Sequence, residues 1–206
     1  QDTLVLSVAS LSMRVRAAVH GRHSKRTAAF TKACAAFMYI TTPTIHAPLL
    51  RIRLHLLGAQ VALANGLLAQ SDACFKAACT LVPEALTGAD RLDGAKAAPA
   101  AGGKALEPEG PAALREAHTR EAGLVSLLSS ACAFLVAAPG HPKQGPFFLA
   151  LGLLNVIQAA KWRLPGSRLT LYAKILQLFS AYAQASLPYP VPGVDSNDVL
   201  YAAEPE

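Results

Sequence analysis

Aromatic residues make up 6% of the 206 positions, with one tryptophan, Trp162. A core cannot then be assembled around large rings, and alanine and leucine have to fill it. Both are strong helix formers that let helices approach closely. Charge is also scarce: 16% of residues are charged against 52% hydrophobic, where a soluble protein averages about 25% charged. That balance excludes wholesale disorder, which requires the reverse. Cysteine is confined to Cys34, Cys74, Cys79 and Cys132, with no C-x-x-C spacing. This excludes a disulfide-stapled mini-protein and reads as buried thiols in a reducing compartment.

Chemical motifs are missing as well. The Gly-x-Ser-x-Gly and Walker patterns are absent, and no two of His20, His23, His46, His55, His118 and His141 share the i, i+4 spacing of a helical zinc site. His20 and His23 read as surface residues of a basic turn, and Glu116 and Glu121 as water-facing residues near a helix start. Gly102-Gly103-Lys104 falls in a low-complexity stretch, not between a strand and a helix. No catalytic residue, cofactor or metal is expected, and the chain reads as a non-enzyme. Acidic residues are lacking between Thr3 and Ser71, where Arg14, Arg16, Arg22, Lys25, Arg26, Lys32, Arg51 and Arg53 fall. The net charge of +6 is therefore local. Arg14, Arg16, Arg22, Lys25, Arg26 and Lys32 form an expected basic surface with an acidic membrane as its candidate partner; a solvated turn is the plainer reading. No series of aromatic side chains suited to base stacking and no recognisable docking motif accompanies these cations, so no nucleic acid is expected.

What remains is helical pattern. Leu4, Leu6, Val8, Leu11, Val15 and Val19 recur at helical spacing until Gly21 breaks them. Ser24 is the expected N-cap of a second helix through Phe30, Cys34, Phe37 and Met38, which Pro43 stops. Thr44 restarts the chain, and Pro48 suits a first helical turn. Leu49, Ile52, Leu56 and Leu57 give the third helix one apolar face, with Arg51, Arg53 and His55 elsewhere. Between Gly58 and Pro83, small residues at Ala64, Gly66, Ala73 and Ala77 predict close helix approach, with Pro83 ending a unit like half of a tetratricopeptide repeat. Leu124, Leu127, Leu128, Ala131, Phe134 and Leu135 form a stripe ending before Pro139-Gly140. Pro146 opens a helix with Phe147, Leu151, Leu154 and Ile157, stopped by Pro165-Gly166. The last helix carries Leu169, Leu171, Tyr172, Ile175, Leu176, Leu178, Phe179 and Tyr182.

The expected fold is all-α: antiparallel helical hairpins stacked as an α-solenoid of the HEAT or TPR kind. Helical repeats span 1–84 and 114–187. Residues 85–113, rich in Ala, Gly and Pro, read as a disordered insertion, and 188–206 as an extended tail. In that tail Asp195, Ser196, Asn197, Asp198, Leu200 and Tyr201 are the candidate partner-binding residues. The chain starts at Gln1 and reads as a piece of a longer protein with no secretory signal in view. A polytopic membrane protein is the alternative, on a mean hydropathy of +0.32 and the uncharged runs Ala122–His141 and Gln144–Ala160.

Several segments carry a family resemblance. Gln60-Val-Ala-Leu-Ala-Asn65, Ala73-Cys-Phe-Lys-Ala-Ala78, Leu81-Val-Pro-Glu84, Leu153-Leu-Asn-Val-Ile-Gln158 and Val194-Asp-Ser-Asn-Asp198 resemble the C-terminal region of the large scaffold subunit of retriever, a relative of the large retromer subunit. Gly21-x-His23-Ser24-x-x-Thr27 and His141-Pro142 fit the same pattern. The insertion around 95–113 and Trp162-Arg-Leu-Pro-Gly166 depart from it. The resemblance implies an α-solenoid that cradles a small subunit with a metallophosphoesterase fold. It also implies an arrestin-like subunit bound through the rest of the parent protein, and a coiled-coil and COMM-domain partner complex. The implied role is cytoplasmic and peripheral on endosomes: returning integral membrane cargo to the plasma membrane.

Overall fold

The computed structural model describes residues 1–87, 111–138, 144–145 and 147–182, the side chains of 111–113 excepted. Among them stand eight α-helices and no strand: α1 (Asp2–Ala18), α2 (Lys25–Thr41), α3 (Pro48–Ala64), α4 (Leu68–Thr80), α5 (Val82–Thr87), α6 (Pro111–Ala137), α7 (Phe148–Ala159) and α8 (Pro165–Tyr182). A 3-10 turn over Thr42–Thr44 precedes α3. The pairs α1–α2 and α3–α4 lie side by side, and α6, α7 and α8 pack on the far side of α3 and α4. This is the all-α stack of helix pairs that the alanine and leucine pattern calls for.

The ends of the helices follow from local chemistry. His20 (φ 51°) and Gly21 (φ 75°) both take left-handed backbone, and the Gly21 amide donates back to the Arg16 carbonyl at 3.0 Å. The turn thus begins one residue earlier than Gly21, at a histidine that tolerates this region less well than glycine. Ser24 caps α2, its hydroxyl accepting from the Thr27 amide at 3.3 Å. Gly66 (φ 73°) closes α3 in the same manner, with the Leu67 amide donating to the Ala62 carbonyl at 2.9 Å. Pro48, not Thr44, starts α3.

The third helix is apolar on two sides, where one face was expected. Leu54 and Val61 join Val5, Ala9, Met38 and Ile45 in a core under α1 and α2. Ile52, Leu56, Ala59 and Leu63 face a larger core with Cys74, Phe75, Leu128, Leu135, Leu153 and Leu178. His55 lies between them, 3% exposed. Close approach of α3 and α4 occurs at Gly58, where a Cβ would stand 3.3 Å from the Cys74 sulfur, and at Ala59, whose carbonyl accepts from the Ser71 hydroxyl at 2.9 Å. Of the small residues expected there, Ala64, Ala73 and Ala77 are only half-buried and Gly66 is exposed in the turn.

Three boundaries move. Pro83 sits in the first turn of α5 and does not terminate the unit; Val82 and Ala85 of that helix are buried. Residues 85–87 therefore belong to the fold, as do 111–113 at the start of α6; the rest of the expected insertion, Gly102-Gly103-Lys104 included, lies outside the described residues. Pro165 opens α8, and α7 ends earlier, at Ala159. The buried stripe of α7 is Ala150, Leu153 and Ile157, while Leu151, and on α8 Leu169 and Leu176, face outward.

One described helix is long and apolar enough to cross a membrane: Leu114–Ala137, mean hydropathy 1.4. Its stripe of Leu124, Leu128, Ala131 and Leu135 is covered by protein within the larger core. The second uncharged run yields α7, 12 residues or about 18 Å of helix, short of a bilayer core of about 30 Å.

Within α6, Glu121 does not face water. It is 2% exposed, and its carboxylate accepts from the amides of Arg163 at 3.1 Å and Leu164 at 3.0 Å. The α7–α8 connection is thereby tied to α6, with the Trp162 indole donating to the Ile157 carbonyl at 2.8 Å. Glu116 does reach solvent, paired with Arg120 at 3.4 Å. Charge-assisted hydrogen bonds contribute about 1.5–3 kcal/mol each. Glu121→Ala is accordingly expected to cost about 2–4 kcal/mol in urea unfolding, with Glu121→Gln losing less because its amide oxygen still accepts. Equal losses for both variants, or none, would contradict this role.

Candidate interaction surface

The basic residues singled out from sequence divide into two groups. Arg16 on α1 is half-buried and donates to the Ala64 carbonyl at the end of α3, where a cation also complements the helix dipole. Beside it the buried Asn65 amide donates to the Val61 carbonyl at 2.7 Å and the Ser12 hydroxyl at 3.3 Å. These bonds stitch α1 to α3. Arg51 is likewise internal, paired with Glu84 of α5. By contrast Arg14, Arg22, Lys25, Arg26 and Lys32 are exposed around the α1–α2 turn. Among the described residues no carboxylate pairs with any of them. Lys25 and Arg26 occupy the first turn of α2, which contains no acidic residue, so they oppose the helix dipole.

Two histidines, His23 expected at the surface and His55 expected off the apolar face of α3, turn inward. His23 is half-buried, with both ring nitrogens shielded and without a hydrogen-bond partner. His55 packs edge-on against Tyr39, ring centroids 5.9 Å apart, and its Nδ1 has no partner. Burial, and secondarily the Arg51 guanidinium, push this imidazole down from 6.5 to about 4. The unfolded chain therefore takes up a proton near pH 6.5 and the folded one only near pH 4. Stability is expected to be full above about pH 6.5 and to fall as the pH drops toward 4, by roughly 3 kcal/mol at most. A thermal melt series across that window checks this, and His55→Leu should flatten the dependence.

Sequence reasoning did not find the apolar groove between α2 and α4. Ala35, Ala36, Tyr39 and Ile40 line one wall and Ala69, Gln70 and Ala73 the other, around a cavity of about 250 Å³. Ile40 is 71% exposed. The available signal was the alanine pairing across two helices, which leaves room where larger residues would interlock. A second groove of about 450 Å³ lies between α6 and α8, lined by Ser129, Ser130, Cys132, Ala133 and Val136 opposite Lys174, Gln177 and Leu178. The tail residues Asp195, Ser196, Asn197, Asp198, Leu200 and Tyr201 lie outside the described residues, as does His141-Pro142.

All four cysteines are free and buried, and burial pushes the Cys74 and Cys132 thiols up to about 11 and Cys79 to about 12. They are protonated at neutral pH and behave as small apolar side chains. Among the described residues no group of three His, Cys, Asp or Glu side chains could hold a metal ion.

A profile for the VPS35L C-terminal domain matches residues 1–98 and 108–206. The chain belongs to the VPS35L C-terminal domain family. Similar proteins include the "VPS35 endosomal protein-sorting factor-like" proteins of Homo sapiens, 37% identical over 202 residues, and Danio rerio, 34% identical over 204 residues. Each alignment covers 98% of this chain and 19% of the relative. The Dictyostelium discoideum protein of the same description is 32% identical over 207 residues, covering 100% of this chain and 19% of its own length. The chain thus spans about one fifth of the relatives it matches. The segments that carried the resemblance have visible work in this VPS35L-type domain. Asn65 and Ser24 are end caps, Cys74, Phe75, Ala78, Leu153 and Ile157 are core, and Glu84 holds Arg51.

Proposed function

We propose that this domain is a non-catalytic scaffold in endosomal protein sorting, peripheral on endosomes from the cytoplasmic side. Its helical stack would cradle a small subunit with a metallophosphoesterase fold. The rest of the parent protein would carry an arrestin-like subunit and engage a coiled-coil and COMM-domain complex, in an assembly that recycles integral membrane cargo to the cell surface. The observation that carries this reading is family membership combined with a stack whose thiols and buried charges serve packing. Glu121, Arg16, Arg51 and Asn65 each satisfy an internal partner. Stacked helix pairs present long surfaces on which shape and apolar area do the binding, and the Tyr39–Ile40 groove is one such surface.

The test is co-purification of the full-length parent with the phosphoesterase-fold subunit. Wild type is expected to retain it in stoichiometric amount. Ile40→Asp, at a side chain already in solvent, should weaken capture at least tenfold with an unchanged melting temperature. Failure of a folded wild-type parent to capture the subunit would overturn the proposal.

A further inference from the structure

We propose that the α1–α2 turn is a docking edge for anionic lipid bilayers. Five cations, Arg14, Arg22, Lys25, Arg26 and Lys32, are exposed there, and no Asp or Glu occurs between Thr3 and Ser71 to neutralise them. The same third of the chain also holds cations with internal duties: Arg16 on the Ala64 carbonyl and Arg51 on Glu84. The five at the turn have none. Folding does not account for Lys25 and Arg26, which lie in the first turn of α2, where positive charge is unfavourable. Their charge is available to an external anion.

Two features favour a bilayer over other polyanions. Phe30 stands one turn beyond Arg26 on the same face of α2 and is 40% exposed, placing a ring beside a cation as interfacial helices do. The edge has no row of aromatic side chains on which successive bases could stack. Position in the stack matters too. Turns of stacked helix pairs lie along the rim and stay accessible. A juxtamembrane Lys or Arg contributes about fivefold in binding to an anionic surface, an attraction that salt screens.

The experiment is flotation of the full-length parent with phosphatidylcholine vesicles, with and without phosphatidylserine. Wild type is expected to float only with phosphatidylserine, and less at high salt. The combined variant Arg22→Glu, Lys25→Glu, Arg26→Glu should lose about a hundredfold or more in partitioning. Its melting temperature should be unchanged or higher, since acidic residues suit a helix N-terminus, so lost flotation cannot be ascribed to unfolding. Phe30→Ser should lower flotation severalfold on anionic vesicles. Undiminished flotation of the triple variant would overturn the proposal, as would displacement of the vesicles by an equal charge of single-stranded oligonucleotide. Capture of the phosphoesterase-fold subunit by the triple variant should be normal, so this test fails or succeeds apart from the scaffold reading.

Discussion

Burial of α3 on both sides is the constraint on which the other elements depend. Its residues alternate between two cores, Leu54 and Val61 toward α1 and α2, Ile52, Leu56, Ala59 and Leu63 toward α4 and α6. A helix so enclosed tolerates little bulk, and Gly58 and Ala59 permit the contact with Cys74 and Ser71. Its ends are held as firmly as its sides. Pro48 opens it, Gly66 closes it, and Arg16 takes up one of the carbonyls left free at its last turn. Removing any of these would loosen both cores, because they share a wall.

Charge is used in two distinct ways. Inside, the charged and amide groups that join helices have defined partners: Glu121 the amides of the α7–α8 connection, Arg51 the Glu84 carboxylate, Asn65 the end of α3 and Ser12 of α1. A buried charge without such a partner would cost several kcal/mol, so a charge-poor chain spends these residues on joints between helices. Outside, five exposed cations with no carboxylate partner among the described residues flank the α1–α2 turn. The thiols, held protonated by burial, serve as packing. A rigid body with joints inside and an uncommitted surface outside is what a platform for other proteins requires.

Helix positions were legible from sequence because they depend on neighbours three and four residues away. Ser24 as a cap, Pro48 as a first-turn residue and the stripe from Leu124 to Leu135 all acted as local rules say. The errors arose where a second element intervened. Pro83 and Pro165 look the same whether they end one helix or begin the next, since proline is tolerated in a first turn and barred from an interior. Glu121 and His23 look like solvent-facing residues until another helix or loop covers them. The Tyr39–Ile40 groove needs alanines from two helices 30 residues apart to face each other, and the candidate tail residues lie outside the described structure.

Composition and spacing alone were sufficient to specify an all-helical chain, its approximate segments and its lopsided charge. Each follows from interactions within a few residues or from simple bookkeeping of residue types. Tertiary packing decided which charges are joints and which are free, which of the two faces of α3 meets which core, and where open apolar surface remains. Those outcomes depend on the distance and orientation of helices remote in sequence, a quantity that no local pattern encodes.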